Sequence, residues 1–284
     1  MDIIKKHGNW ALITGASKGV GAAFATRLAQ LGMNLLLVAR SGDLLEKNAA
    51  ILRKEYGVSV IAITADLGKA EGVDAVFCAS QDYDVGLLVS NAGTGKIRYF
   101  LEGTPTEDAE LSYMNAIAHQ RLAQHFGAGM AQRGKGGVIF VSSTACFQPV
   151  PLMATYSACK IFVNHLAEAL YHEWKPLGID VAVVVLGPTE TDGFYNLKTE
   201  QGVDLTAMPM QLMQPAQVVD IALRALGKKP LVTAGLPNKV FAFLSSRVLS
   251  RKHAARLWEN IMTRSLAAGE SQKRANSAHP PRSQ

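Results

Sequence analysis

The chain has few charged residues and no long apolar run. Charged residues account for 18% and hydrophobic residues for 48% of its 284 residues, which excludes a disordered protein and provides for a sizeable core. No apolar stretch reaches the roughly 18 residues of a membrane span. The apolar stretch near the amino end is too short for a secretory signal, so we expect a protein of the cytoplasm.

Cysteines are also scarce. Cys78, Cys146 and Cys159 are odd in number and lack the paired spacing of metal sites. They predict reduced thiols rather than a disulfide framework, and we expect no metal ion.

Acidic residues are scarce toward the carboxyl end. The formal net charge is +6, and residues 237–264 hold six basic side chains against one acid, Glu259. The first 236 residues are therefore close to neutral, and we expect no nucleic-acid partner. We predict one body over residues 1–236, a basic helical extension over 237–269 and a disordered polar tail over 270–284.

Short apolar runs alternate with amphipathic stretches, a pattern that predicts an α/β fold. The apolar runs are rich in Val, Ile and Leu, as expected for parallel strands covered by helices on both faces. We expect a single domain with a Rossmann-like, doubly wound parallel sheet of seven strands. The predicted strands are Trp10–Thr14, Asn34–Ala39, Val58–Ile63, Gly86–Ser90, Gly137–Ser142, Ile179–Leu186 and Leu231–Thr233, and the predicted helices are Val20–Leu31, Leu44–Tyr56, Thr106–Arg133, Ala154–Leu177 and Pro215–Leu226.

A glycine-rich turn, running from Thr14 to Gly21, joins the first strand to the first helix. Gly15 allows a tight turn, Gly19 lets the backbone approach a pyrophosphate, and Gly21 lets helix and strand pack closely. The loop also contains Ser17, Lys18 and Val20, and the N–H groups of the helix would meet the phosphates. A glycine-rich turn without a ligand is the alternative.

No acid stands at the end of the second predicted strand. NAD sites usually place a carboxylate there for the ribose 2′-hydroxyl. This chain has Arg40 instead, which can bind a 2′-phosphate through two parallel hydrogen bonds, and Lys18 can add a second positive charge. The pattern favours NADP(H), although both residues can also be ordinary solvated charges.

Two further polar motifs follow strands. Asp66-Leu67 comes after the third strand and Asn91-Ala92-Gly93 after the fourth, where adenine and ribose would lie. Asp66 can accept a hydrogen bond from the adenine amino group, or it can cap the following helix.

Tyr156 and Lys160 are four residues apart, so they share one face of a predicted helix. A nearby ammonium favours the phenolate and lowers the tyrosine pKa. Ser143 lies at the end of an apolar run and can hold a carbonyl oxygen while Tyr156 donates the proton and Lys160 reaches a nicotinamide ribose. Residues 1–236 are therefore predicted to form a dinucleotide-binding and catalytic domain for hydride transfer.

These motifs together resemble the short-chain dehydrogenase/reductase family, over about residues 9–235. The matching residues, in family order, are Thr14, Gly15, Gly19, Gly21, Asp66, Leu67, Asn91, Ala92, Gly93, Asn115, Ser143, Tyr156, Lys160, Gly187, Pro188, Thr189 and Thr191. The resemblance implies strand order 3-2-1-4-5-6-7 and a catalytic tetrad of Asn115, Ser143, Tyr156 and Lys160. It also implies that Asn115 holds a water of a proton relay, that Pro188 belongs to the turn near the nicotinamide, and that Thr189 and Thr191 lie near the carboxamide and phosphates.

Three positions depart from the family pattern. Ser90 stands where a first asparagine is usual, Leu186-Gly187-Pro188 replaces the usual Pro-Gly turn, and Cys159 precedes the lysine. None of these changes removes a catalytic group.

Apolar residues surround the expected substrate site. They are Cys146, Phe147, Pro149, Met153, Phe194, Tyr195, Met208, Met210 and Met213. The segment from Thr189 to Met213 fits a mobile lid or plain core equally well. We expect NADPH-dependent reduction of an apolar ketone, or the reverse reaction. A 3-oxoacyl reductase for carrier-bound chains and a non-enzymatic NADP-binding sensor or scaffold are the alternatives.

The basic segment at 238–266 has three interpretations. It can dock on the body or a second subunit, attach to an anionic membrane surface, or bind an acidic carrier protein. The family resemblance implies a homodimer or homotetramer built from the helices that hold Asn115 and Tyr156.

Overall fold

The structure, a computed structural model, describes residues 3–192, 194 and 210–278, with side chains as far as residue 266. Its strands are β1 (Trp10–Thr14), β2 (Asn34–Ala39), β3 (Val60–Thr64), β4 (Val85–Ser90), β5 (Gly136–Ser143), β6 (Ile179–Leu186) and β7 (Leu231–Thr233). Its helices are α1 (Ile3–His7), α2 (Gly19–Gln30), α3 (Gly42–Tyr56), α4 (Ala70–Ser80), α5 (Pro105–Ser112), α6 (Ala118–Arg133), α7 (Ala154–Trp174), α8 (Pro215–Ala225), α9 (Leu236–Phe243) and α10 (Arg251–Ala278).

The strands form one parallel sheet of seven strands in the order β3-β2-β1-β4-β5-β6-β7. The predicted fold class and strand order are confirmed. The chain leaves β1 toward one edge of the sheet and resumes at β4 on its other side. Connections therefore diverge between β1 and β4, which opens a crevice at the carboxyl ends of these strands.

Two apolar layers cover the sheet. Neighbouring strand residues point to opposite faces, so Ile13 and Leu37 pack in the layer with α2, α3 and α8, whereas Leu12 and Leu36 pack in the layer with α4, α6 and α7. All four side chains are fully buried. The core thus lies on both faces of the sheet, as the continuous apolar runs predict.

One predicted helix differs from expectation. Thr106–Arg133 is a single helix in the sequence prediction, but the structure has α5, a π turn at Tyr113–Ile117 and then α6. The extra residue of a π turn breaks the regular hydrogen-bond ladder and often marks a functional position. Asn115 lies in this turn and is buried.

The carboxyl extension packs against the body. It consists of α9, a π turn at Leu244–Val248, and α10. Ser245 donates a hydrogen bond to Oε1 of Gln148 at 3.1 Å, and the rings of Phe241 and Trp258 meet edge to face at 5.8 Å. α10 continues to Ala278, into the segment 270–284 that we expect to be disordered; residues 279–284 lie outside the described residues.

Helix α6 meets α7 at a glycine. A methyl group added at Gly127 would lie 2.5 Å from the ring of Trp174, whereas one added at Gly129 would meet only the end of the flexible side chain of Arg133, 3.2 Å from its Nη1. Gly127→Ala should therefore lower the free energy of unfolding by about 1–3 kcal/mol, because the indole must shift. Gly129→Ala should raise it by about 0.5–1 kcal/mol, because alanine favours the helix. Urea unfolding of both variants measures the difference, and equal effects would contradict this packing.

Candidate active site

A cleft lies at the carboxyl ends of the strands, over the crevice between β1 and β4. Its volume is about 680 Å³, within the range of roughly 300–1,000 Å³ for small-molecule sites. Most of the predicted site residues line it: Gly15, Ser17, Lys18, Gly19, Val20, Arg40, Leu67, Asn91, Ala92, Gly93, Ser143, Tyr156, Lys160, Pro188, Thr189 and Thr191. Asp66, Gly21 and Asn115 do not line it.

The glycine-rich turn brings backbone to the cleft. Gly19 has φ +57, and an added methyl group would lie 2.9 Å from Cγ2 of Thr191. At Gly21 the same group would lie 2.1 Å from the carbonyl oxygen of Gly15, so helix and strand pack as the spacing predicts. α2 begins at Gly19, and its first N–H groups therefore open toward the cleft, as a pyrophosphate requires.

Thr14 holds the opposite wall of the crevice. Its Oγ1 accepts hydrogen bonds from the backbone N–H groups of Asn91 (2.8 Å) and Ala92 (2.9 Å). The side chain of Asn91 returns a bond from Nδ2 to the carbonyl oxygen of Thr14 at 2.8 Å. The carboxyl ends of β1 and β4 are thereby fixed to each other.

Positive charge marks the end of the cleft beside β2. Arg40 is exposed and lines the cleft. The first acidic residue after β2 is Asp43. Lys18 lies in the same wall, but its Nζ forms an ion pair with a carboxylate oxygen of Asp192 at 3.5 Å, which partly neutralises its charge. Arg40 is thus better placed than Lys18 to bind a phosphate.

Asp66 makes a local turn. Its Oδ1 accepts a hydrogen bond from the N–H of Gly68 at 3.0 Å, and α4 begins only at Ala70 after Lys69. It therefore braces the loop after β3 instead of capping α4. The proposed contact with adenine stays a prediction.

Tyr156, Ser143 and Lys160 converge on one wall. The Nζ of Lys160 lies 5.4 Å from the centre of the Tyr156 ring. Burial raises the pKa of Tyr156 above its ordinary value, and the side chain of Ser143 opposes this shift. The expected lowering of the tyrosine pKa is thus wrong, because the loss of hydration on burial is the largest influence on this group and disfavours the phenolate.

Lys160 is itself buried. The low polarity around its ammonium lowers its pKa to about 8, and the group donates a hydrogen bond to the carbonyl oxygen of Val141 at 3.4 Å. At neutral pH Lys160 is mostly charged and Tyr156 is protonated. This pair of states suits a proton donor with a cation behind it.

Asn115 points an unused acceptor toward this wall. Its Nδ2 donates to the carbonyl oxygens of Thr94 and Leu111, both at 2.9 Å. Its Oδ1 is buried without a hydrogen-bond partner. A methyl group added at Gly93 would lie 2.7 Å from this oxygen and 3.1 Å from Nζ of Lys160, so both groups flank one stretch of backbone.

His119 is a residue of the site that sequence reasoning missed. Its Nε2 lies 3.0 Å from the carbonyl oxygen of Ala92, which only accepts, so Nε2 carries the proton. Its Nδ1, 2.7 Å from Oγ of Ser90, then accepts from that hydroxyl. Burial, assisted by the charge of Lys160, lowers the pKa of His119 to about 3 and keeps it neutral. The departure at Ser90 was the available signal, because a buried serine there needs a partner.

The far end of the cleft is apolar. Met153, Phe194 and Met210 line it as expected, together with four residues not foreseen as lining: Ala145, Val150, Trp258 and Met262. Met213 is instead a core residue beside α8, and Cys146 turns away to accept a hydrogen bond from Asn164. Tyr195 and Met208 lie outside the described residues. The basic extension thus completes the cleft, because α10 supplies Trp258 and Met262.

The turn after β6 closes the other side. Thr189 is buried and pairs with Met213, and Oγ1 of Thr191 accepts from the N–H of Phe194 at 3.1 Å. Pro188 lines the cleft between them and the sheet. Within the described ranges, no three His, Cys, Asp or Glu side chains gather as metal ligands would.

The sequence profile described as short chain dehydrogenase matches residues 9–202. The 7beta-hydroxysteroid dehydrogenase of Collinsella aerofaciens is 32% identical over 243 residues, which cover 84% of this chain and 90% of that protein. The very-long-chain 3-oxoacyl-CoA reductase of Anas platyrhynchos is 34% identical over 63% of this chain and 59% of that protein. An inactive hydroxysteroid dehydrogenase-like protein 1 of Homo sapiens is 32% identical over 65% of this chain and 57% of that protein. The chain belongs to the short-chain dehydrogenase family.

Solved structures agree. A 7beta-hydroxysteroid dehydrogenase has a TM-score of 0.84 at 28% identity, covering 91% of this chain and 100% of that chain. A short-chain dehydrogenase from Sphingobium yanoikuyae in complex with NADPH has a TM-score of 0.71 at 34% identity, over 79% and 86%. A bulky-bulky ketone specific alcohol dehydrogenase from Comamonas testosteroni has a TM-score of 0.69 at 27% identity, over 97% and 96%.

The buried ammonium of Lys160 should give stability a pH dependence. Its pKa is about 8 in the folded protein and about 10.4 in an unfolded chain. The unfolded state therefore binds more protons between these values, and the cost of burying the charge is full below pH 8 and fades above it. Relative to Lys160→Met, the free energy of unfolding of the wild type should rise as pH increases from about 8 toward 10. Urea unfolding at several pH values tests this, and a constant difference between the two proteins would contradict it.

Proposed function

We propose that the protein is an NADPH-dependent oxidoreductase that reduces a bulky apolar ketone to an alcohol, or catalyses the reverse reaction. The observation that carries this proposal is the cleft itself. A proton-donor wall of Ser143, Tyr156 and Lys160 lies between a glycine turn beside Arg40 and an apolar far end.

The chain's own residues handle the proton. The hydroxyl of Ser143 donates a hydrogen bond to the carbonyl oxygen, and Tyr156 gives that oxygen its proton. When bound, the nicotinamide supplies the hydride to the carbonyl carbon. Tyr156 becomes a phenolate in this step, and the ammonium of Lys160, 5.4 Å from its ring centre, stabilises the new charge.

Reprotonation of Tyr156 needs a path to solvent. The partnerless, buried Oδ1 of Asn115 can hold a water near Nζ of Lys160, since the two groups flank Gly93. Lys160, Asn115 and that water form the proposed relay.

The cleft fits NADP(H). The N–H groups at the start of α2 suit a pyrophosphate, and Arg40 suits a 2′-phosphate in the place where an NAD site needs an acid. The similar structure from Sphingobium yanoikuyae, which contains NADPH, supports this assignment. Lys18, Ser17, Leu67, Asn91 and Thr191 would complete the cofactor contacts, with Asp66 behind them.

The substrate class follows from the far end of the cleft. None of the described residues lining it beyond Tyr156 is charged, so it favours an apolar molecule over one with a carboxylate. The relatives named for hydroxysteroids and for bulky ketones support a steroid-like or similarly bulky ketone. NADPH oxidation by the purified protein across a panel of steroid ketones, bulky aryl ketones and 3-oxoacyl thioesters tests the proposal. Tight NADPH binding without turnover on any of them would favour the sensor interpretation.

Tyr156→Phe should lower turnover by about 100- to 10,000-fold, the usual contribution of a positioned proton donor. NADPH affinity should change little, because the ring remains in place. Tyr171→Phe is the matched control, since Tyr171 lies on the same helix α7 but not in the cleft. Steady-state assays and NADPH fluorescence titration separate the two quantities. Unchanged turnover in Tyr156→Phe would refute the mechanism.

Arg40→Ala should raise the KM for NADPH about 10- to 100-fold and leave that for NADH nearly unchanged. The reason is the loss of hydrogen bonds between a guanidinium and the 2′-phosphate, worth about 1.5–3 kcal/mol. Lys54→Ala removes another exposed positive charge, on α3, and should change neither constant. Equal changes for both cofactors in Arg40→Ala would show that Arg40 does not read the 2′-phosphate.

A second candidate is a 3-oxoacyl reductase. The relative named as a 3-oxoacyl-CoA reductase supports it, and the apolar far end also suits an acyl chain. A non-enzymatic sensor is disfavoured by the complete set Asn115, Ser143, Tyr156 and Lys160, which mere cofactor binding does not need.

We also propose a homodimer or homotetramer that works in the cytoplasm. The π turn before α6 presents the partly exposed side chain of Ile117, and α7 presents that of Phe162, which suits a subunit contact on these helices. Cys78, Cys146 and Cys159 are free thiols, in keeping with a reducing compartment. In the described part of the chain, no helix combines the length and apolarity needed to cross a bilayer.

A further inference from the structure

The start of the carboxyl extension carries a stripe of exposed apolar side chains. α9 and the following π turn form one helical stretch from Leu236 to Val248. The apolar stripe consists of Leu236, Val240, Phe243, Leu244 and Val248. Each of these residues is at least 47% exposed. Their spacing of three or four residues puts them on one face of the helix.

The opposite face is anchored to the body. Asn238 is fully buried and donates hydrogen bonds to the carbonyl oxygens of Gln211 (3.1 Å) and Ala234 (3.0 Å). Ser245, one turn beyond Ala242, is buried against Gln148. These contacts fix the rotation of the helix, so the apolar stripe cannot turn inward without breaking them.

The charge around the stripe has one sign. Lys239 and Arg247 are exposed within it, and Arg251 and Lys252 follow at the exposed start of α10. The sequence from residue 221 to residue 258 contains no aspartate or glutamate. Every charged side chain of this stretch is therefore basic.

We propose that this stripe docks on an anionic lipid bilayer. An apolar face flanked by lysine and arginine is the chemistry of helices that lie in the membrane interface, with the cations on anionic headgroups. A second copy on the same face is less suitable. A two-fold contact would bring like charges such as Lys239 and Arg247 together, with no acid in the stretch to pair with them.

The location of the stripe connects the bilayer with the cleft. α10 follows the stripe directly and supplies Trp258 and Met262 to the apolar end of the cleft. A substrate dissolved in lipid would then lie close to the helix that completes its binding site. The docking itself does not depend on which ketone the enzyme reduces.

Co-sedimentation of the full-length protein with lipid vesicles tests the proposal. The protein should bind vesicles of phosphatidylcholine with phosphatidylglycerol, bind vesicles of phosphatidylcholine alone far more weakly, and dissociate as salt increases. Phe243→Ser should lower the partition coefficient about tenfold, because one aromatic side chain no longer leaves water. Arg247→Gln should lower binding to the anionic vesicles only.

Ile51→Ser is the matched control, since Ile51 is 57% exposed on α3 and Phe243 60% exposed on α9. It should bind vesicles as the wild type does, and NADPH binding by every variant checks the fold. Absence of binding to the anionic vesicles would overturn the proposal, as would a loss of binding in Ile51→Ser equal to that in Phe243→Ser. If Phe243→Ser instead dissociates a dimer in lipid-free solution, or abolishes binding to an acyl carrier protein while the wild type ignores vesicles, the stripe serves a protein partner.

Discussion

The divergence of the chain on either side of β1 is the constraint on which the site depends. β2 and β3 lie on one side of β1, and β4 to β7 lie on the other, so the connecting helices separate over the carboxyl ends of β1 and β4. Thr14 ties these two ends together through bonds to Asn91 and Ala92. The glycine turn, the proton-donor wall and the apolar far end are arranged around the crevice that results.

Burial determines the protonation states of Tyr156 and Lys160. Loss of hydration raises the pKa of Tyr156 and lowers that of Lys160, because in each case it disfavours the charged form. The tyrosine therefore keeps its proton at neutral pH, as the proposed role of proton donor requires. His119 stays neutral for the same reason, and its two hydrogen bonds fix the loop that passes Lys160. One physical effect thus sets the protonation of three residues that differ in chemistry.

Much of this arrangement could be predicted from the sequence. Continuous apolar runs and glycine positions predicted the seven strands and most of the longer helices, since local hydrophobic pattern and backbone freedom decide them, but α1 and α4 were not predicted. The π turn at Tyr113–Ile117 could not be predicted, because its helical pattern continues on both sides. The sign of the tyrosine shift was also missed, since it depends on how deeply tertiary packing buries the group. The contribution of Trp258 and Met262 to the cleft could not be predicted either, because contacts between segments far apart in the sequence leave no local sequence pattern.

In the proposed reaction the carbonyl carbon receives a hydride from NADPH and the carbonyl oxygen receives a proton from Tyr156. The most direct test uses NADPH carrying deuterium at one of the two C4 positions, with a bulky apolar ketone that the protein turns over. We expect deuterium from only one of the two C4 positions to appear on the carbinol carbon of the alcohol. In D2O with unlabelled NADPH, that carbon should carry no deuterium. Solvent deuterium on the carbinol carbon, or cofactor oxidation without transfer of the label from either C4 position, would rule out direct hydride transfer.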